Sequence, residues 1–126
     1  MEDPHQLVEQ LKSLQNEIHD TALSKGWWVE HENLVSVLKN HGDEYGLSPS
    51  FGDMLYKMAR TMLMVTELSE GVEFLRKGDA PDDKLPQFNG LTVELADCII
   101  RALDLAGRFD LPVAEAVVAK VAYNRM

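Results

Sequence analysis

Apolar residues recur along this chain at helical spacing. Leu7, Leu11, Leu14 and Ile18, with Ala22, return every three or four positions and mark one apolar stripe. Asp3-Pro4 ahead of them is an N-cap acid followed by proline at the first helical position, and Gly26 is a C-terminal stop. Leu34, Val35, Val37 and Leu38 predict a short helix capped by Asn33 and ended by His41-Gly42-Asp43, with Tyr45 to Pro49 as loop. Ser50 is expected to cap the next helix, with Asp53 at its third position. The apolar set there (Met54, Leu55, Met58, Met62, Val65, Leu68, Val72 and Leu75) is broad enough for a central helix packed on more than one side. Gly78-Asp79, Pro81 and Pro86 close it. Asn89 or Thr92 then stands ready to cap a helix running to about Phe109, with Leu95, Ile99, Leu103 and Ala106 on its buried side. Asp110-Leu111-Pro112 opens a last helix carrying Val113, Ala116, Val117 and Val121, with Lys120 and Arg125 toward its negative end. No stretch alternates with period two between hairpin turns, so the pattern predicts one all-α domain over residues 1–126.

Composition narrows the partners. The 126 residues are enough for one domain with a core and too few to expect two. With 21 Asp+Glu against 12 Lys+Arg the chain carries −9, which disfavours nucleic-acid polymers and anionic membrane surfaces. A small phosphorylated ligand is still compatible if metal ions mediate the contact. Cys98, the lone cysteine, sits in an apolar helical run and reads as a small hydrophobe in a reducing compartment. The opening Met1-Glu2-Asp3-Pro4 lacks a basic segment followed by an apolar one, and no apolar run nears the ~20 residues a bilayer requires. A cytoplasmic location is expected.

Two acid pairs change the picture. Glu67 and Glu70 lie mid-way along the methionine-rich helix, and Glu94 and Asp97 open another. Positions i and i+3 lie about 60° apart on one helix face. A lone pair of this kind is usually a solvated face. Two pairs on antiparallel neighbours bring four carboxylates to one point, which is stable only with a cation among them. An all-oxygen set favours Mg²⁺ or Mn²⁺; with no Cys or His in either pair, zinc and the Glu-x-x-His di-iron pattern fit poorly.

Glu67-x-x-Glu70 followed by Glu94-x-x-Asp97 resembles the metal signature of the MazG-like, all-α nucleoside triphosphate pyrophosphohydrolases. The resemblance extends through Ile18-His19 to Lys25-Gly26-Trp27-Trp28, Met64 to Leu75-Arg76, Glu94 to Leu105-Ala106-Gly107, and Val117 to Asn124-Arg125, about two-thirds of the chain in the family's order. The segment from Glu30 to Pro49 is longer than the family leads one to expect and reads as a lid or a subgroup insertion.

That resemblance implies a helical bundle of four to five helices whose core four-helix bundle is completed by dimerisation, as a homodimer or a dimer of dimers. It implies Mg²⁺-dependent cleavage of NTP or dNTP between the α- and β-phosphates, giving the monophosphate and pyrophosphate, a house-cleaning role in nucleotide pools. Glu67, Glu70, Glu94 and Asp97 would hold the metal, with Mn²⁺ as substitute. Glu67 or Glu70 would take the proton of the attacking water. Lys120 and Asn124, one turn apart, would meet phosphate or sugar oxygens, Arg101 would neutralise charge developing on the leaving pyrophosphate, and Trp27 and Trp28 would stack on the base. dUTP/dCTP or phosphoribosyl-ATP hydrolysis are rivals within the superfamily. From another class, a non-catalytic helical module that binds metal or nucleotide is the alternative.

Overall fold

A computed structural model describes residues 3–126. Among these the chain is all-α, with no strand: α1 spans Pro4–Ser24, α2 Val29–His41, α3 Pro49–Arg76, α4 Gly90–Phe109 and α5 Val113–Asn124. No helix is long and apolar enough to cross a membrane. The chain divides into two compact units, one of Met1–Trp27 with Leu103–Met126 and one of Trp28–Ala102, so α4 contributes to both.

The first unit is built on small residues. Ala22 of α1, Ala106 of α4 and Ala114 of α5 are at most 2% exposed, which lets helices approach closely. Asp3 caps α1 as its sequence predicts, accepting from the His5 backbone N–H, and proline occupies the first turn. Gly26 ends that helix with φ +77°, and the Trp27 N–H returns to the Ala22 carbonyl. His19 Nδ1 and Asp104 Oδ1 lie 2.7 Å apart, and the His19 side chain fills the space where a Cβ on Gly107 would sit. Lys12 and Glu115 join α1 to α5 at 2.7 Å. Beside them Leu7, Leu11, Leu14, Val117, Val118 and Val121 line an open apolar groove of about 410 Å³.

In the second unit α2 packs on the N-terminal half of α3. Gly52 makes this possible: a Cβ there would come within 2.8 Å of Leu38 Cδ1. Helix α2 begins at Val29, four residues before the predicted Asn33 cap, because the Glu32 N–H bonds the Trp28 carbonyl and Trp28 itself is buried. A 3₁₀ turn over Gly42–Tyr45 and a left-handed Gly46 (φ +68°) lead into the expected loop, which ends at Ser48 because Pro49 already opens the next helix. The N-cap of α3 is Ser48, not Ser50: Pro49 fits the first helical position, where its missing N–H costs nothing, and Ser48 accepts from the Phe51 N–H. Asp53 leaves its capping role and bonds His31.

The C-terminal half of α3 meets α4. Gly78 (φ +99°) and Asp79 (φ +51°) turn the chain out of α3, and the Pro81–Asn89 bridge closes the loop. Asn89, expected with Thr92 as a cap candidate, stands just ahead of Gly90 and its carbonyl accepts from the Val93 N–H, while Asp79 Oδ1 accepts from the Leu91 N–H across the loop. Gly90 lies flat against the Phe74 ring, with no room for a Cβ. Gly90→Ala should lower thermal stability by about 1–3 kcal/mol through overpacking, read as a drop in melting temperature with helicity kept.

The apolar stripe of α3 is inverted relative to its prediction. All eight predicted residues, from Met54 to Leu75, are between 41% and 60% exposed, and the buried positions of the helix are Gly52, Glu67 and Gly71. Leu95 and Ile99 of α4 are likewise 45% and 58% exposed, whereas Leu103 and Ala106 are buried as expected. A helical period marks one face of a helix but not which face its neighbours cover. The neighbours of α3 cover the opposite face.

Candidate metal centre

Gly71 and Gly90 set the spacing of the site. A glycine inside a helix costs roughly 1 kcal/mol against alanine. At position 71 a Cβ would press on Leu91 Cδ1 at 3.1 Å and stand 3.5 Å from Glu94 Cβ, so its absence draws α4 onto α3 beside the acids. One carboxylate oxygen each from Glu67, Glu70 and Glu94 then falls within 4.8 Å of the others. Glu67 and Glu94 are buried, each 7% exposed, while Glu70 is open to solvent. Asp97, one turn beyond Glu94, is not in this set.

The electrostatics of the three acids differ. Burial foremost, then the carboxylates of Glu67 and Glu70, push Glu94 up to about 8. Burial also acts to raise Glu67, but the hydrogen bond from Arg101, helped by Glu94, outweighs it and holds Glu67 below its usual range. Arg101 Nε donates to Glu67 Oε1 at 2.6 Å. Asp97 is raised by burial first and by Glu67 second, with Asp82 contributing. The cluster thus holds a charged Glu67, fixed by a guanidinium, beside a protonated Glu94.

One atom shows what the cluster lacks. Glu94 Oε2 is buried and has no hydrogen-bond partner among the described residues. A buried acceptor left unmet costs about 1–3 kcal/mol. Three convergent carboxylates with an unmet oxygen fit a hard divalent cation: oxygen donors suit Mg²⁺ or Mn²⁺, and a cation would satisfy that oxygen and displace the Glu94 proton. Glu67, Glu70 and Glu94 would hold it, with Asp97 adjacent and Arg101 orienting Glu67 from behind.

The other predicted site residues fall in two places. Arg101 sits in the cluster but is engaged by Glu67. Trp28 is 1% exposed, so neither ring face is open to a base; the Arg60 guanidinium lies over it at 4.4 Å. Trp27 is 56% exposed and belongs to the other unit, as do Lys120 and Asn124 on α5. The Lys120 ammonium lies 4.5 Å over the Tyr123 ring.

Sequence reasoning missed two features. Asp82 bends its loop by accepting from the Lys84 and Leu85 N–H groups at 2.9 Å, and its charge acts on Asp97. The second is a polar aromatic cluster of Trp28, His31, Asp53, Tyr56 and Arg60. Its signal was present: Asp53, Tyr56, Arg60 and Glu67 recur at helical spacing on one face.

Fold and site together define an all-α protein with a three-carboxylate cluster suited to a hard divalent cation. Compared with protein-family models, curated proteins and solved structures, the chain matches none.

Proposed function

We propose that this protein is a divalent-metal-dependent nucleoside triphosphate pyrophosphohydrolase of MazG-like type, cleaving NTP or dNTP to the monophosphate and pyrophosphate. The observation that carries the reading is the cluster itself: Glu67, Glu70 and Glu94 within 4.8 Å, with a buried, unmet oxygen on Glu94. Bare carboxylates repel phosphoryl oxygens; a divalent cation bound there supplies the positive field that reverses this and makes water more acidic.

The protein's own groups divide the remaining work. Arg101 keeps Glu67 charged and in one orientation. Glu94 gives up its proton when the cation binds. Glu70, the exposed member, takes the proton from the water that attacks the α-phosphorus. The bond from the α-phosphorus to its bridging oxygen breaks, and pyrophosphate leaves with the electron pair.

The resemblance in four ordered blocks supports the substrate class, and the uncovered apolar face of α3 supports a homodimer or dimer of dimers. A panel of NTPs and dNTPs with Mg²⁺ or Mn²⁺, scored by pyrophosphate release, tests the reading. Glu70→Gln should reduce turnover by about 100-fold or more while melting stays within a few degrees of wild type. A metal-loaded wild type that releases no pyrophosphate from any nucleotide would remove the proposal.

A further inference from the structure

One side-chain chemistry recurs on the uncovered face of α3. Met54, Met58 and Met62 stand at positions i, i+4 and i+8, each about one turn from the next on the same side of the helix. They are 48%, 60% and 59% exposed, whereas Met64, nearer the covered side, is half-buried. Three of the chain's six methionines thus line one stripe. Leucine there would keep the volume and the apolar character; only methionine adds an oxidisable sulfur.

Area and charge say what covers that stripe. At roughly 100 Å² for each half-uncovered side chain, the eight apolar residues from Met54 to Leu75 offer roughly 800 Å², the share each partner gives to a stable interface. From Met54 to Val72 this side of the helix carries no charge, and Thr61 and Ser69 are its polar members. Two copies of a chain carrying −9 meet like charge over most of their surfaces. On this stripe they approach with no like charges opposed. A two-fold pairing about Met62, near the middle of the stripe, brings the same residues together from both copies.

Thioethers make such an interface sensitive to hydrogen peroxide. The sulfur lone pair attacks one peroxide oxygen, so that an S–O bond forms while the O–O bond breaks. The departing hydroxide keeps that electron pair and takes the proton of the transferred oxygen to become water. Sulfur is oxidised by two electrons and the peroxide is reduced by two. The sulfoxide is polar, and burying it without a hydrogen-bond partner is unfavourable. We propose that Met54, Met58 and Met62 couple self-association of this protein to peroxide: their oxidation in the separated chain blocks pairing, and reduction of the sulfoxides restores it. The inference rests on the homodimer proposed above and not on the hydrolytic reaction.

Light scattering and peptide mass spectrometry of the full chain, before and after hydrogen peroxide, test this, with nucleotide hydrolysis measured on the same samples. Untreated protein should read as a dimer. Protein carrying sulfoxides at all three positions should read as a single chain, its dissociation constant raised about 100-fold or more. Association should also shield the stripe. Raising the protein concentration through the dissociation constant should slow oxidation of Met54, Met58 and Met62 about 10-fold relative to Met126, which is 99% exposed. The two methionine sulfoxide reductases, one for each epimer, should restore the dimer; a thiol reductant alone should not, which separates this chemistry from oxidation of Cys98. Met54→Leu, Met58→Leu and Met62→Leu combined should give a dimer that peroxide does not dissociate.

Three sulfoxides on a protein that stays dimeric overturn the proposal, as does a leucine variant that peroxide dissociates equally. Should that variant not melt cooperatively, failure of the reductases to restore the wild-type dimer overturns it instead. Wild type at single-chain mass before treatment overturns it together with the dimer and assigns the face to a different partner; nucleotide turnover then judges the enzymatic reading separately. Peroxide-dependent dissociation without hydrolysis of any nucleotide supports the proposal and removes the enzymatic reading.

Discussion

Glu94→Gln will lose metal binding and nucleotide turnover together, yet its metal-free form will melt higher than wild type at pH 8. The two effects share one cause. Glu94 is buried beside two other carboxylates, and its proton is held up to about 8. In the unfolded chain the same group titrates near 4.5. Below that value both states carry the proton, and the group favours neither state. Between about 4.5 and 8 the unfolded chain has released the proton while the folded protein keeps it, so each step up in pH favours unfolding. Stability from Glu94 is thus present at low pH and lost as pH rises through about 8. Asp97, also raised, adds the same sign just above its ordinary value. Glu67 runs the other way: held low by Arg101, it contributes stability above its unfolded value and loses it as pH falls.

Glutamine at position 94 has the shape of the protonated acid without the titration. Metal-free wild type should therefore lose melting temperature from pH 5 to pH 8, and Glu94→Gln should flatten that slope. Mg²⁺ or Mn²⁺ should raise the wild-type melting temperature most at the alkaline end and leave the variant unmoved. Below pH 8 each metal bound should release about one proton in calorimetry across buffers of different ionisation enthalpy. Turnover should fall by more than about 100-fold, since even groups that only orient metal ligands cost about 10–100-fold when removed. A variant that still binds Mn²⁺ at wild-type affinity would detach Glu94 from the metal centre.

Met62→Asp should convert the proposed dimer into a single chain. Met62 is 59% exposed at the middle of an apolar face that runs from Met54 to Val72 on one side of α3. Fully burying a side chain of this class contributes about 1.5–3 kcal/mol, and several are left half-covered here. Covered by a second copy, that face is the interface of the proposed dimer. An unpaired carboxylate at its centre costs several kcal/mol, and each 1.4 kcal/mol is tenfold in the dissociation constant. Light scattering should read wild type at twice the 14.2 kDa chain mass or more and Met62→Asp at that of one chain, with far-ultraviolet helicity unchanged. Wild type at a single-chain mass, at the concentrations of the activity assay, would remove the dimer.

What was legible in the chain was local. Asp3-Pro4 and Gly26 bound α1 because capping acids, first-turn proline and left-handed glycine act within a few residues of themselves. Phe109 ends α4 as predicted, and α5 follows Asp110-Leu111-Pro112 for the same reason. Misreadings came where distant groups competed. Ser50 and Ser48 both flank Pro49, and the proline gave the cap to Ser48. At the start of α4 Asp79 also meets the Leu91 N–H across the loop, a bond between residues twelve apart that no local pattern announces.

The candidate site divides along the same line. Sequence by itself determined that Glu67 and Glu70 share a helix face, and that Glu94 and Asp97 share another, because helical periodicity is a property of single segments. It also determined the apolar period of α3, though not which side would be covered. Only the tertiary structure decided that three of the four acids converge and that Asp97 stands beside them. It likewise buried Trp28 beneath Arg60 and left one oxygen of Glu94 without a partner. The physical reason is distance between helices: Gly71 and Gly90 let α4 press onto α3, and such closeness depends on atoms far apart in the chain.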